Sequence, residues 1–268
     1  MDTSRMVKLS VVTVHFNQRE SLKYTLESIR NSGFPANSVE LIVVDGGSSF
    51  NINDLFAEFD DIISLAISEP DRGVFDAMNK GLRLARGEYI NFMNAGDAFC
   101  SGVLSGSFLD SLNNDIIYGD YILYLNGHKT LHRQTDELDF AYFLGRTICH
   151  QSIIYRTNLC KKYPFSLDYS LMGDWIQLFN LLKNESLSVV KLDFPLCIYD
   201  GHGQSDRFKE ERLKQRSDFL KSVYSDWELN TLKVFSRLRR KKWFLWMKGS
   251  LEFERRNIVL NILSRFIP

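Results

Sequence analysis

The sequence predicts an α/β chain: a mostly parallel central sheet with flanking helices, followed by a helical, basic and aromatic C-terminal tail. Three observations predict it. Short β-branched runs, apolar on both faces, recur at 8–15 (KLSVVTVH), 39–45 (VELIVVD) and 89–93 (YINFM), as strands buried between two layers read. Helical patterns separate them, so successive strands pair in parallel through right-handed crossovers. Beyond residue 207 no strand pattern is evident, and 233–248 (KVFSRLRRKKWFLWMK) carries seven Lys or Arg, no acid, and the rings of Phe235, Trp243, Phe244 and Trp246.

The elements follow in order. After the first strand, 18–32 sets Leu22, Leu26 and Ile29 on one helical face, and Gly33 and Pro35 stop the pattern. The second strand closes on the turn Gly46-Gly47-Ser48-Ser49, and a weaker third strand spans 62–68. Residues 74–86 form a helix striped by Val74, Met78, Leu82 and Ala85, with Gly87 just past its end and the fourth strand next. After Asp97 the pattern changes: 115–125 and 129–133 flank Asn126-Gly127, a hairpin turn signal. A helix at 138–144, a strand at 149–156, a helix at 174–183 and short strands at 188–192 and 195–199 complete the order. The expected division is 6–205 as one α/β domain and 206–268 as a helical extension.

Composition narrows the class. The 268 residues are 44% hydrophobic and 25% charged, with zero formal net charge, so no global electrostatic argument favours nucleic acid. The four cysteines, Cys100, Cys149, Cys160 and Cys197, show no CxxC or zinc spacing. No run reaches the ~20 apolar residues of a membrane span, and the N-terminus enters a strand pattern directly. A cytoplasmic location is expected.

In a parallel α/β sheet, ligands sit at the carboxyl ends of the strands, so residues just after each strand are the candidates. His15, Phe16 and Asn17 follow the first. Asp45 ends the second beside a glycine turn, where a carboxylate either accepts a hydrogen bond from a base or ribose or caps the turn. Glu69-Pro70-Asp71-Arg72-Gly73 precedes the helix bearing Asp76, Asn79 and Lys80, which share one face at i, i+3, i+4. Asn94-Ala95-Gly96-Asp97 follows the fourth strand. A carboxylate there suits a hard divalent cation that neutralises a departing diphosphate. Gly173-Asp174-Trp175 opens a helix, where Asp174 is either an N-cap or a general base. His202 lies in the loop Gly201-His202-Gly203-Gln204-Ser205.

Taken in this order, LSVVTVHFNQRESLKYTLESI, ELIVVDGGSS and SEPDRGVFDAMNKGLRLARGEYINFMNAGD resemble glycosyltransferase family 2, whose members have the Rossmann-like GT-A fold. The likeness runs from Lys8 to about Ser205 and is greatest to the bacterial branch that builds capsule, O-antigen or colanic-acid-type polysaccharides. It implies an inverting transfer from a nucleotide-diphosphate sugar, UDP favoured and GDP second, to a hydroxyl of a lipid-linked glycan. It implies that Thr13, His15, Phe16 and Asp45 border base and ribose. Asp71, Arg72, Asp76, Asn79 and Lys80 line the nucleotide and diphosphate pocket, with Asn94, Ala95 and Gly96 beside the donor. Asp97 and His202 are the implied metal ligands for Mn²⁺ or Mg²⁺, and Asp174 is the implied base. His150, Gln151 and Trp175 fall in the acceptor region. The sequence departs from the family where only Asp97 remains of two or three acids, and where Gly46-Gly47 replaces a further acid.

A polyprenyl-diphosphate-linked acceptor suits a peripheral protein at the inner face of the bacterial inner membrane, with 233–248 as the contact. Two rivals stand beside this reading. A sugar-1-phosphate nucleotidyltransferase needs a glycine- and arginine-rich loop where His15-Phe16-Asn17-Gln18 stands. A degenerate domain that binds nucleotide sugar without transfer has no need of Asp174.

Overall fold

The computed structural model describes residues 7–35, 37–138, 140–144, 146–202 and 208–231. Both the boundary expected at 205–206 and the basic segment 233–248 lie outside the described residues.

Burial of whole strands organises the chain. β1 (Leu9–His15), β2 (Val39–Asp45) and β4 (Tyr89–Phe92) are buried along their full lengths. With β3 (Leu65–Ser68) they form a parallel set in the order β3-β2-β1-β4. The register sets His15 opposite Asp45, and Asp45 opposite Ser68. Alternate residues of β1 feed two cores. Val12 and Val14 enter one with α3 (Val74–Leu84); Leu9 and Val11 enter the other with α1 (Arg19–Asn31). α1 buries Leu22, Thr25, Leu26 and Ile29, the i, i+3, i+4, i+7 face expected of a one-sided helix. α3 also buries Asn79, Lys80 and Gly81. A Cβ on Gly81 would collide with Val12 Cγ1, so the glycine sets how closely α3 approaches β1.

Past β4 the sheet is mixed. Its order continues β8-β6-β9-β5, where β8 (Ile153–Arg156) is antiparallel to β4 and β6 (Ile116–Leu125), β9 (Val189–Asp200) is parallel to β6, and β5 (Ala98–Phe99) is antiparallel to β9. The mostly parallel expectation therefore describes the N-terminal half. β6 and β7 (His128–His132) make the hairpin, with positive φ at Asn126 (51°) and Gly127 (82°) as a primed turn requires.

Three expectations needed revision. The segments 188–192 and 195–199 are one strand, β9, whose register with β6 breaks near Pro195, the kind of irregularity at which a strand accommodates a residue without N–H. The strand expected at 149–156 begins as a 3₁₀ turn, His150–Ser152, with Ser152 N–H and Oγ both donating to Cys149 O (3.1 and 2.8 Å). The helix expected at 138–144 is one turn, α5 (Phe140–Phe143).

Short α2 (Asn53–Glu58) and α4 (Gly106–Ser111) bridge strands, and α6 (Thr157–Lys162) links β8 to the next helix; all three were unforeseen. α7 (Gly173–Asn184) and α8 (Lys209–Val223) complete the described elements. All four cysteines are free. Among the described residues no helix is long and apolar enough to cross a membrane.

Candidate active site at the strand ends

The nucleotide-side candidates divide by exposure. Thr13, His15, Asp45, Asn79 and Lys80 are buried, whereas Phe16 and Arg72 are exposed and Asp71, Asp76, Asn94, Ala95 and Gly96 are partly so. Asp45, expected to accept from a base or ribose or to cap its turn, is fully enclosed, because its turn consumes it. It accepts from Ser48 N and Oγ, and from Ser68 Oγ at 2.6 Å. Burial pushes its carboxyl up, but these donors and nearby His15 outweigh it and hold the group below the ordinary carboxylate range. His15 Nε2 lies 3.3 Å from Asp45 Oδ1 without hydrogen-bond alignment; neither ring nitrogen has a hydrogen-bond partner among the described residues. Burial lowers the imidazole's pKa against the pull of Asp45, so the ring is neutral near pH 7. Thr13 Oγ1 is likewise buried and unpaired.

The loop before α3 is braced from within. Asp71 Oδ1 accepts from Gly73 N (2.8 Å), Asp76 Oδ2 from Arg72 N (3.1 Å), and Lys80 Nζ donates to Pro70 O (2.7 Å) and pairs with Glu69 (3.0 Å). A Cβ on Gly46 would collide with Asp71 Oδ2. The glycine that stands where the family often has an acid thus makes room for the carboxylate of Asp71. Asn79 clamps the backbone of Phe165 with both amide ends at 2.9 Å. The shared helix face expected of Asp76, Asn79 and Lys80 therefore serves three separate contacts.

Asp97 is buried beside a second acid that the sequence reading passed over. The pairing of β5 with β9 brings Asp97 to the end of β9, where its Oδ1 accepts from Asp200 N (2.9 Å) and its Oδ2 from Gln151 Nε2 (2.7 Å). Asp200 in turn holds His202 Nδ1 at 2.8 Å. Asp200 ends β9 as Asp45 ends β2, and it directly follows the strand expected at 195–199, where the sequence reading did not single it out.

The implied metal pair, Asp97 and His202, is present, but its oxygens and ring nitrogen are engaged by protein groups. Among the described residues no three His, Cys, Asp or Glu side chains group to hold a cation. As arranged, the donor set does not fit a protein-held Mn²⁺ or Mg²⁺.

Asp174 is different. It stands in the first turn of α7, where the helix dipole favours a carboxylate. Its Oδ1 accepts from Trp175 N (2.8 Å), its Oδ2 lies 3.1 Å from His150 Nδ1, and the side chain is 26% exposed. A Cβ on Gly173 would stand 2.6 Å from the Phe75 ring; the glycine of Gly-Asp lets α7 begin against α3. Of the expected acceptor residues, His150 is partly exposed, while Gln151 and Trp175 are buried. The Trp175 indole donates to Arg146 O (2.9 Å) and stacks on Phe143 (5.0 Å), so its ring is core.

Comparison with known proteins agrees with this architecture. The family model described as Glycosyl transferase family 2 matches residues 10–170, more than half of the chain. A PGL/p-HBAD biosynthesis glycosyltransferase of Mycobacterium bovis is 29% identical over 203 residues, covering 72% of this chain and 77% of that protein. UDP-Glc:alpha-D-GlcNAc-diphosphoundecaprenol beta-1,3-glucosyltransferase WfgD of Escherichia coli is 25% identical over 225 residues, covering 79% and 85%. Among solved structures, S. aureus TarS 1-349 in complex with UDP superposes with a TM-score of 0.65 at 18% identity, over 97% of this chain and 80% of that one. The mannosyltransferase PcManGT from Pyrobaculum calidifontis, in complex with GDP-Man and Mn²⁺, gives 0.59 at 15% identity, over 82% and 65%. The strand order, the acids at the strand ends and these likenesses converge: the chain has the GT-A fold and is a glycosyltransferase that belongs to family 2.

Proposed function

We propose that this enzyme transfers a sugar with inversion from a nucleotide-diphosphate donor, a UDP-sugar first and a GDP-sugar second, to a hydroxyl of a polyprenyl-diphosphate-linked glycan, with Asp174 as general base. The observation that carries the reading is the setting of Asp174: partly open to solvent, with one oxygen held by Trp175 N and the other beside His150. In the proposed step the acceptor oxygen attacks the anomeric carbon and its proton passes to Asp174. The bond to the diphosphate breaks, and the electron pair leaves with the nucleoside diphosphate. A hydroxyl is a poor nucleophile near neutral pH, so a positioned base is worth ~10²–10⁴-fold. Lys80 is spent on the loop, which leaves exposed Arg72, 3.7 Å from Asp76, as the nearer candidate to meet diphosphate charge.

The names of the relatives support the substrate classes: UDP-Glc and a diphosphoundecaprenol acceptor for WfgD, and UDP or UDP-GlcNAc in TarS complexes. A lipid-linked acceptor places the work at the inner face of the inner membrane. The Mn²⁺ bound with PcManGT motivates testing a divalent cation.

The experiment is nucleoside diphosphate release from UDP-glucose, UDP-N-acetylglucosamine and GDP-mannose, with Mn²⁺ or Mg²⁺ and with EDTA, for wild type and Asp174→Asn. The expected outcome is release from one donor, lowered at least ~10²-fold in Asp174→Asn, with donor binding by calorimetry unchanged. Near-normal release by Asp174→Asn removes it as the base.

A further inference from the structure

Two consecutive residues reach two different acids. His150 Nδ1 lies 3.1 Å from Asp174 Oδ2, and Gln151 Nε2 donates to Asp97 Oδ2 at 2.7 Å. The 3₁₀ turn of 150–152 sets successive side chains about 120° apart around its axis, and the two reach different acids. On its other edge, His150 Nε2 faces Asn94 Nδ2 at 3.2 Å. An amide nitrogen only donates, so Nε2 accepts. The ring proton of neutral His150 is then on Nδ1, aimed at Asp174. Turning the Asn94 amide over would set Oδ1 against Nε2 and demand a proton there; the tautomer therefore reports which way the amide faces.

We infer that His150, with its tautomer fixed by Asn94, is a positioning residue that orients Asp174 and ties the base to the loop following β4. The inference rests on the reading of Asp174 as the base. With Oδ1 given to Trp175 N and Oδ2 to His150 Nδ1–H, Asp174 keeps further lone pairs on a side chain that is 26% exposed. Asn94 belongs to the same loop as Ala95 and Gly96, so a shift of that loop is felt at the base through one imidazole. The ionisable groups facing His150 are Asp174 on α7, Asp97 on the loop after β4, and Cys149 in its own segment. Burial lowers the ring's pKa, and Asp174 more than reverses it.

A side chain that only fills space is replaceable by a ring of similar size; a positioning donor is not. In the donor-release assay, His150→Phe is expected to lower kcat ~10–100-fold, the range for removing an outer partner of a reactive group, with the donor KM unchanged. His150→Asn, whose amide N–H stands close to where Nδ1–H stood, is expected to restore most of the loss. Wild-type kcat in His150→Phe overturns the inference, as does an Asn variant no better than Phe. Asp174→Asn run alongside separates the failures: if it stays active the base reading falls, and if it is dead while His150→Phe is normal only the positioning role falls.

A second measurement needs no substrate. Long-range ¹H–¹⁵N correlation on the whole ¹⁵N-histidine-labelled chain, above the imidazole pKa, reads the tautomer directly. His150→Phe identifies the relevant signals among the five histidines. A protonated Nδ1 with bare Nε2, lost in Asn94→Leu, is expected; a protonated Nε2 in the wild type overturns the assignment.

Discussion

Asp97, in the loop between β4 and β5, shows what one buried carboxylate costs. Burial pushes it up to about 7, although Asp200 N–H and Gln151 both donate to it. A group whose pKa rises on folding contributes stability fully below its unfolded value, about 3.9, and loses it as pH rises through the folded value. The window is therefore roughly pH 4 to 7, and the differential is about 4 kcal/mol at most. In metal-free buffer, Asp97→Asn is expected to gain several degrees of thermal midpoint relative to wild type between about pH 5 and pH 8. A difference that does not move over that window contradicts a buried, titrating Asp97. At this scale the sequence singled out acids to examine and was silent about how they are held. Asp97 and Asp174 stand out because each opens or follows a regular element. The His150 to Asp174 contact spans 24 residues and the Asp97 to Asp200 contact 103, and neither has a local pattern. Asp45 shows the opposite limit, a strand-end acid consumed by its own turn.

Elements that bury a whole face were legible, and those that only bridge were not. The boundaries of β2 and the turn of the β6–β7 hairpin follow the pattern closely, because apolar runs and Asn-Gly each have one cheap conformation. α2, α4 and α6 have six residues each, too short for a helical period to register. The approach of α3 to β1 is set by one glycine, and that gives a test of the packing. Gly81→Ala adds a methyl against Val12, which has no exposed surface. Overpacking of this kind costs about 1–3 kcal/mol, to be read as a lower denaturation midpoint. Combined with Val12→Ala, the loss is expected to be smaller than the sum of the single variants, since the two side chains compete for one volume. Strict additivity would place the cost of Gly81→Ala elsewhere.

Across the whole molecule, zero net charge conceals an asymmetry. Residues 233–248 carry seven Lys or Arg and no acid, so the rest of the chain has 26 basic against 33 acidic residues, a formal charge of −7. An anionic body joined to a cationic, aromatic segment is expected to meet an anionic bilayer through that segment, which the surface attracts while it repels the body. Each basic residue near such a surface contributes about 1 kcal/mol and is screened within a Debye length, ~10 Å at 0.1 M salt. For an enzyme whose proposed acceptor is lipid-linked, that orientation would keep the body off the headgroups while the chain stays at the surface. The expected result is that the full chain sediments with phosphatidylserine-containing vesicles at low salt and is released at high salt. It is not expected to bind neutral phosphatidylcholine vesicles, and a chain ending at residue 231 is expected to remain in the supernatant throughout. Equal binding by the shortened chain would move the contact onto the body, against its charge. No binding by the full chain at low salt would leave the basic segment without a membrane role.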